Sequence, residues 1–168
     1  QGLRLYCIGD IHGRLDLLQQ VADRIAQDLK RRAPEHARII LLGDYIDRGP
    51  HSAQVIDMLA EDQLPAPVAC LRGNHEDLLD AFLQDAERME DWRRVGGLET
   101  LASYGIDTDS VAAGHGYAEA RHALFHMIFF KNFMLAGNFL SYCCSRTCVK
   151  TALMIPWWGG RVPAGHPI

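Results

Sequence analysis

The sequence lacks three features that would point to a nucleic-acid-binding, secreted or membrane protein. Its 17 Lys and Arg residues are outnumbered by 21 Asp and Glu residues, and the net charge of −4 gives no electrostatic reason to expect a nucleic-acid backbone as the main partner. No basic leader precedes a long apolar stretch and a cleavage site, so no secretory signal is indicated. The segment from Leu124 to Leu140 is too short and too polar to cross a membrane. We therefore expect a cytoplasmic protein whose partners include neither nucleic acid nor a membrane.

The cysteines lack the spacing of a structural zinc site. Cys143, Cys144 and Cys148 are crowded together, but they form no paired C-x₂-C knuckles, and no nearby histidine pair completes four ligands. Cys7 and Cys70 lie inside apolar runs, where a thiol behaves as a small hydrophobic side chain. No zinc site is expected from any of these residues.

Hydrophobic patterning predicts a single domain of the α/β class. A chain of 168 residues, 48% of them hydrophobic, is long enough to bury a substantial core. Three apolar runs indicate buried strands at Leu3–Ile8, Ile39–Leu42 and Val68–Leu71, and each is followed by apolar residues at helical spacing. This alternation predicts a mainly parallel sheet covered by helices. The helical apolar positions are Leu18, Val21, Ala22, Ile25 and Leu29, then Val55, Ile56 and Leu59, and finally Leu78, Leu79, Phe82, Leu83 and Ala86.

Three polar blocks follow the three predicted strands directly. They are GDIHG at 9–13, GDYIDRG at 43–49 and RGNHE at 72–76. Singly, an Asp or Asn after a strand is usually a turn residue or a helix cap. In an open α/β sheet, however, the loops at the carboxyl ends of the strands converge on one crevice, so the three blocks are expected to meet. Their carboxylates, imidazoles and amide together are typical of a two-metal phosphate hydrolase.

The block residues suit two divalent or trivalent metal ions. Mn²⁺ is expected, with Fe or Zn as alternatives, because oxygen and imidazole ligands without thiolates favour such ions. If the chain stays extended, Asp10 and His12 point to the same side and reach one cation. Asp44 would bridge to a second cation, which Asn74 would bind through its amide oxygen. Two ions roughly 3.5–4 Å apart can clamp a phosphate and lower the pKa of a bound water enough to supply hydroxide as the nucleophile.

Four further block residues are predicted to serve the substrate. Arg48 and Arg72 flank the metal residues, and their guanidinium groups match the oxygens of a phosphoryl group. His75 is the expected proton donor to the leaving group, with Asp47 as the carboxylate that orients it. Glu76 opens the third helix, where the helix dipole favours a carboxylate, so its predicted role is structural. The remaining histidines considered are expected to be exposed or to cap local structure: His36, His51, His115 and His122.

The three blocks resemble those of the calcineurin-like metallophosphoesterases, and in detail those of the bacterial serine/threonine phosphoprotein phosphatases. The stretch from Gly96 to Gly105 is similar to bacterial members as well. The resemblance implies a sandwich of two sheets flanked by helices (αββα). It implies a dinuclear centre with Asp10, His12 and Asp44 on one ion and Asp44 and Asn74 on the other. It also implies His75 paired with Asp47, and both Arg48 and Arg72 on the phosphate.

The carboxyl-terminal part departs from this family pattern. Leu124 to Leu140 predicts a core helix followed by the start of a strand, after which the family supplies further metal histidines that are not found in Ser141–Cys148. We predict a phosphatase domain at 1–140 and interpret 141–168 as an atypical tail, either translated out of frame or truncated from a longer family member. The coding DNA would decide between these readings.

The sequence as a whole predicts a metal-dependent hydrolase of phosphoserine and phosphothreonine in proteins. It would act by direct attack of metal-bound hydroxide, without a covalent intermediate, on a phosphoprotein or a small phosphoester. One alternative is a dinucleoside-polyphosphate hydrolase of the same superfamily. Another is a catalytically impaired fragment that binds metal or phosphate, because the downstream histidines are not visible.

Overall fold

A parallel sheet of three strands forms the frame of the part of the chain that the structure describes. The computed structural model describes residues 2–136, with side chains as far as residue 128. The strands are β1 (Leu3–Ile8), β2 (His36–Leu41) and β3 (Val68–Cys70), in the spatial order β1-β2-β3. Leu3 pairs with His36, and the register runs to Ile8 opposite Leu41. The carboxyl ends of all three strands therefore lie at one edge of the sheet.

One helix follows each strand, as the spacing of apolar residues predicts. Helix α1 spans Leu15–Arg31, α2 spans Ser52–Ala60 and α3 spans Asn74–Gln84. Their apolar stripes lie in the hydrophobic core with the inward face of the sheet, where Ile39 and Leu41 are fully buried. The expected α/β class with a parallel sheet is confirmed. The strand and helix limits differ from the predictions by a few residues: Ala86, for example, lies beyond α3 in a 3₁₀ turn.

Short helices and one helix of 20 residues continue the chain after α3. Their bounds are α4 (Met89–Trp92), α5 (Gly97–Ser103), α6 (Asp109–Ala112) and α7 (Tyr117–Ala136), with 3₁₀ turns at Ala86–Arg88 and Arg93–Val95. Helix α7 begins earlier than the predicted core helix, because Tyr117 and Ala120 already pack on the core. The predicted strand start after the helix, the second sheet that it would join and the tail at 141–168 fall outside the described residues. None of the helices within 2–136 is long and apolar enough to cross a membrane.

The two faces of the sheet differ in burial. Tyr6, Ile8, Ile39, Leu41 and Cys70 face the helices and belong to the core or pack against it. The opposite face of β1 and the residues just after β2 and β3 carry apolar side chains that are about half exposed: Leu3, Leu5, Leu42 and Leu71. Strands buried on both sides are the rule in parallel sheets, so the sequence of β1 is apolar on a face that the described residues leave open.

Candidate active site

The loops after β1 and β2 are joined by backbone hydrogen bonds. The amides of Ile11 and His12 both donate to the carbonyl of Asp44, at 3.0 and 2.9 Å, and the amide of Gly13 donates to Tyr45 at 2.9 Å. Gly49 also packs directly against the backbone of the first block. A Cβ built on Gly49 would come within 2.1 Å of the His12 carbonyl oxygen and 2.8 Å of the Gly13 carbonyl carbon. These contacts bring the first two blocks together at the sheet edge.

Four of the predicted site residues have left-handed backbone conformations. The φ angles are +45° at His12, +54° at Asp44, +73° at Asp47 and +65° at Arg48. Residues with a Cβ rarely adopt such angles, and each one costs on the order of 1–3 kcal/mol. The positive φ of His12 also shows that the extended backbone assumed in pairing Asp10 with His12 is absent. The loop turns instead, because its amides bind the Asp44 carbonyl.

Three side chains at this edge are grouped closely enough to hold a metal ion. His12, Asp44 and His75 each offer one ligand atom, and these atoms lie within 4.8 Å of one another. The rings of His12 and His75 meet edge to face at a centroid distance of 4.6 Å. The Asp44 carboxylate accepts the backbone N–H of His75 at 3.1 Å, which ties the second block to the third.

The imidazole of His12 is oriented as a metal ligand should be. Its Nδ1 lies 2.9 Å from the carbonyl oxygen of Ile46. A carbonyl only accepts, so Nδ1 carries a proton and Nε2 is the nitrogen left to face a metal ion. Histidines that bind metals usually donate their second ring nitrogen to a carbonyl or carboxylate in this way. Together with the Asp44 carboxylate, this arrangement fits a divalent metal ion.

The other two predicted ligands lie at the margin of this group. The Asp10 carboxylate is largely exposed and lies 3.7 Å from Nε2 of His12. Asn74 is the first residue of α3 and is also exposed, next to the buried His75. Their positions place both residues in the same loop cluster, and their roles as ligands stay predictions.

Asp47 and His75 form a buried pair. Nδ1 of His75 lies 2.6 Å from Oδ2 of Asp47, and the two side chains are 2% and 0% exposed. Burial raises the pKa of Asp47 above its usual value, while hydrogen bonds from Thr100, His75 and Trp92 act in the opposite direction. On the other side of the imidazole, Nε2 lies 3.3 Å from the guanidinium of Arg48. The pairing needed for the predicted orienting role is therefore present, although that role itself stays a prediction.

Two hydrogen-bond donors to the Asp47 carboxylate come from outside the three blocks. The Thr100 hydroxyl donates to Oδ1 of Asp47 at 2.6 Å, and the Trp92 indole donates to Oδ2 at 2.8 Å. Both residues are fully buried. The sequence analysis missed them as site residues, and the only signal nearby was the resemblance of the stretch from Gly96 to Gly105 to bacterial phosphatases.

Glu76 does more than face a helix dipole. Its carboxylate accepts three backbone N–H groups, from Asp44 and Tyr45 at 2.8 Å each and from Gly73 at 2.9 Å. The side chain is almost fully buried. Its structural role therefore consists of holding the loops after β2 and β3 together, directly beneath the Asp44 carboxylate.

The two predicted phosphate-binding arginines have different surroundings. Arg48 is exposed and contacts His75, so its guanidinium is close to the metal-binding group. Arg72 pairs with Asp77 and Asp80 on α3, with its NH2 group 2.9 Å from Asp80. To bind a phosphate, Arg72 would have to exchange at least one of these carboxylates for the substrate. The histidines expected to be uninvolved, His36, His51, His115 and His122, are exposed.

Comparison with known proteins gives both a family and a set of relatives. The model for calcineurin-like phosphoesterases matches residues 3–138. The chain is 31% identical over 104 residues to the asymmetrical bis(5'-nucleosyl)-tetraphosphatase PrpE of Oceanobacillus iheyensis. This matched segment covers 60% of this chain and 40% of that protein. It is 34% identical over 85 residues to the symmetrical bis(5'-nucleosyl)-tetraphosphatase of Pseudomonas fluorescens SBW25, covering 51% of this chain and 28% of the relative. Against the symmetrical enzyme of Paracidovorax citrulli, identity is 41% over 76 residues, which is 44% of this chain and 24% of the relative. The chain thus spans less than half the length of these relatives.

Proposed function

This chain belongs to the calcineurin-like phosphoesterase family, and from that premise we propose that it is a metal-dependent hydrolase of phosphoric esters or anhydrides. The observation that carries the proposal is the grouping of His12, Asp44 and His75 within 4.8 Å at the edge where the three loops meet. Left-handed backbone at four predicted site residues supports the same location, because such conformations concentrate at functional sites.

The residues of the site have three proposed roles: metal binding, phosphate binding and proton donation. When bound, a pair of metal ions, with Mn²⁺ proposed, would supply an activated water and positive charge on the phosphate. His12 and Asp44 would hold the metal, joined by Asp10 and Asn74. Arg48 would bind the phosphoryl oxygens next to His75, and Arg72 would do so after releasing one of its carboxylates. His75, held by Asp47, would protonate the oxygen of the leaving group.

Two substrate classes are candidates. The relatives are named as dinucleoside tetraphosphatases, and this favours a dinucleoside polyphosphate, which the sequence analysis gave as its alternative. The phosphoserine and phosphothreonine substrates that the sequence analysis placed first are supported by the resemblance of the three blocks. Both classes would place a phosphorus with anionic oxygens on the same metal ions and arginines. Their leaving groups differ: the peptide releases an alkoxide, which needs a proton from His75, whereas the dinucleoside polyphosphate releases a nucleotide phosphate, which depends on that proton much less.

The experiment measures Mn²⁺-dependent release of product by this chain from three substrates in parallel. These are a dinucleoside tetraphosphate, a phosphoserine peptide and p-nitrophenyl phosphate. We expect hydrolysis of all three, with the highest kcat/KM for the dinucleoside tetraphosphate. A higher kcat/KM for the peptide than for the dinucleoside tetraphosphate would favour a phosphoprotein substrate instead. Absence of metal-dependent hydrolysis of every substrate would refute the proposal and favour an impaired fragment.

His75 has two possible roles that use the same atom. Nε2 can protonate a leaving group or bind a metal ion, but not both at once. A donor role predicts that His75→Ala lowers kcat while the Mn²⁺ concentration at half-maximal activity is unchanged. A ligand role predicts a large rise in that concentration. His122→Ala, an exposed histidine on α7, is the matched control and should change neither quantity.

A further inference from the structure

The buried carboxylate of Asp47 is fixed at every oxygen. Oδ2 accepts His75 Nδ1–H at 2.6 Å and the Trp92 indole N–H at 2.8 Å, while Oδ1 accepts the Thr100 hydroxyl at 2.6 Å. A carboxylate that accepts two hydrogen bonds on one oxygen and one on the other has little freedom to rotate. In a fully buried position, an alternative rotamer would leave these donors without acceptors, which is unfavourable because no water replaces the lost partner.

The hydroxyl of Thr100 contacts Asp47 twice, at the backbone N–H and at the carboxylate of Asp47. The backbone N–H of Asp47 donates to the Thr100 hydroxyl oxygen at 2.9 Å, and that hydroxyl donates its single proton to the Asp47 carboxylate. Ser52 lies within 3.1 Å of the same backbone N–H. Thr100 thus fixes the backbone of Asp47, which has a φ of +73°, as well as the orientation of its carboxylate.

The position of the Trp92 indole next to Asp47 depends on its close contact with Gly97. A Cβ built on Gly97 would come within 2.6 Å of the indole ring, so only glycine allows α5 to pack against Trp92 at this distance. Phe82 contacts the same ring at a centroid distance of 5.2 Å. The indole is therefore confined by apolar neighbours, with its one polar atom directed at Asp47.

We propose that Thr100 and Trp92 are positioning residues for the proton-transfer step: they clamp the Asp47 carboxylate so that it holds the imidazole of His75 with Nε2 facing the reacting phosphate. The proposal rests on the function proposed above. In the step itself, the oxygen of hydroxide bonds to phosphorus and the P–O bond to the leaving group breaks. The leaving-group oxygen takes the Nε2 proton of a doubly protonated His75. The Nδ1 proton stays in its hydrogen bond to Asp47, and the imidazole ends neutral. Neither Thr100 nor Trp92 touches the substrate.

The first test needs no catalytic activity. In the metal-free, full-length chain, the Nδ1 proton of His75 should give a far-downfield NMR signal that His75→Gln removes. Thr100→Val and Trp92→Phe should shift or abolish that signal, while Thr100→Ser, which keeps the hydroxyl, should retain it. Ser103→Ala is the matched control, because Ser103 lies on the same helix and binds the Thr100 carbonyl and the Ala53 amide instead of Asp47. An unchanged signal in folded Thr100→Val would overturn the proposal.

Should Thr100→Val fail to fold, the indole N–H of Trp92 still decides the question. The indole N–H of Trp92 should exchange with solvent far more slowly than that of an exposed tryptophan, and its resonance should move on Asp47→Asn. Rapid exchange, or a resonance that ignores Asp47→Asn, would show that the indole does not hold the carboxylate.

The second test uses the leaving group. An alkyl phosphate needs a proton donor, whereas p-nitrophenolate leaves readily without one. Thr100→Val should therefore lower kcat about 100-fold for a phosphoserine peptide and only a few-fold for p-nitrophenyl phosphate, with little change in KM. A merely structural loss would lower both rates alike, and that result would overturn the positioning role. If the unaltered chain hydrolyses neither these esters nor the dinucleoside tetraphosphate, the proposed function fails, while the NMR test still decides whether Thr100 and Trp92 hold the pair.

Discussion

Glu76 illustrates how one side chain determines the spacing of two loops. Its carboxylate accepts the backbone amides of Asp44, Tyr45 and Gly73. Gly73 is equally constrained, since a Cβ there would come within 2.2 Å of the Asp44 carboxylate. The third block therefore holds Asp44 at two points: Glu76 binds its backbone, and the His75 amide binds the carboxylate proposed as a metal ligand.

Replacing this carboxylate by an amide should be costly. Glu76→Gln keeps the shape but turns one acceptor into a donor that faces backbone donors. We expect a loss of about 2 kcal/mol in the free energy of unfolding, because hydrogen bonds to a buried charge contribute about 1.5–3 kcal/mol. Urea unfolding at pH 7 measures it.

The matched control separates the amide contacts from the helix dipole. Glu119 also lies in the first turn of a helix, α7, but it is exposed. Glu119→Gln should cost less than about 1 kcal/mol, the size of a dipole effect at the surface. Equal losses in the two variants would mean that the dipole alone explains Glu76.

Sequence reasoning succeeded at the residue scale where a local rule applied. Each polar block follows an apolar strand, so the meeting of His12, Asp44 and His75 was predictable from strand order alone. The partners of Asp47 were not predictable in this way. Trp92 and Thr100 lie 45 and 53 residues away along the chain, and no periodicity links them to a loop after β2. Their pairing depends on how α4 and α5 pack, which follows from the finished core.

At the scale of helices and strands, regular spacing was a reliable guide and short helices were not. Helices α1, α2 and α3 carry apolar stripes of at least two turns, and all three were predicted. The four-residue helices α4 and α6 are too short to show a period. Buried core residues fix both helices, Met89 and Trp92 in α4 and Val111 in α6. A further tie in α4 is made by Glu90. Its carboxylate binds Arg93 at 2.7 Å and accepts the Tyr117 hydroxyl of α7 at 2.8 Å.

This tie between α4 and α7 predicts a pH dependence of stability. The Arg93 guanidinium, followed by the Tyr117 hydroxyl and Arg94, lowers the pKa of Glu90 from 4.5 to about 2. A carboxyl whose pKa is lower in the folded state stabilises the fold above its unfolded pKa, and this contribution is lost as pH falls toward the folded value. Glu90→Gln should therefore be less stable than the unaltered chain at pH 7, and the difference should shrink between pH 4.5 and 2.

Unfolding free energies at pH 3 and pH 7 test this expectation. Because Glu90 is partly exposed, added salt should reduce the difference at pH 7. Glu99→Gln, an exposed acid on α5, serves as the control and should show a much smaller pH-dependent difference. A difference between Glu90→Gln and the unaltered chain that is as large at pH 3 as at pH 7 would contradict the assignment.

At the scale of the whole molecule, the candidate site lies where three separate loops meet, so ligand binding there should stabilise the entire fold. A metal that binds only the folded chain adds about 2.7 kcal/mol at a concentration 100-fold above its Kd. We expect Mn²⁺ to raise the melting temperature and a chelator to reverse the effect.

Asp44→Asn should abolish most of this Mn²⁺-dependent stabilisation, because the variant removes a charged ligand from the centre of the group. Asp23→Asn, an exposed acid in the middle of α1, should keep it in full. Scanning calorimetry with and without Mn²⁺ gives the comparison. The same metal-induced rise in both variants would show that the ion binds elsewhere.

The left-handed residues of the site also have an evolutionary consequence. Arg48 is exposed, so glycine there would relax the backbone at little steric cost while removing a proposed phosphate ligand. A library selected only for heat resistance should therefore drift toward glycine at this codon, whereas the buried hydrogen bonds of Asp47 should preserve its carboxylate. Directed evolution of a more thermostable variant will therefore require a screen for catalytic turnover at every round.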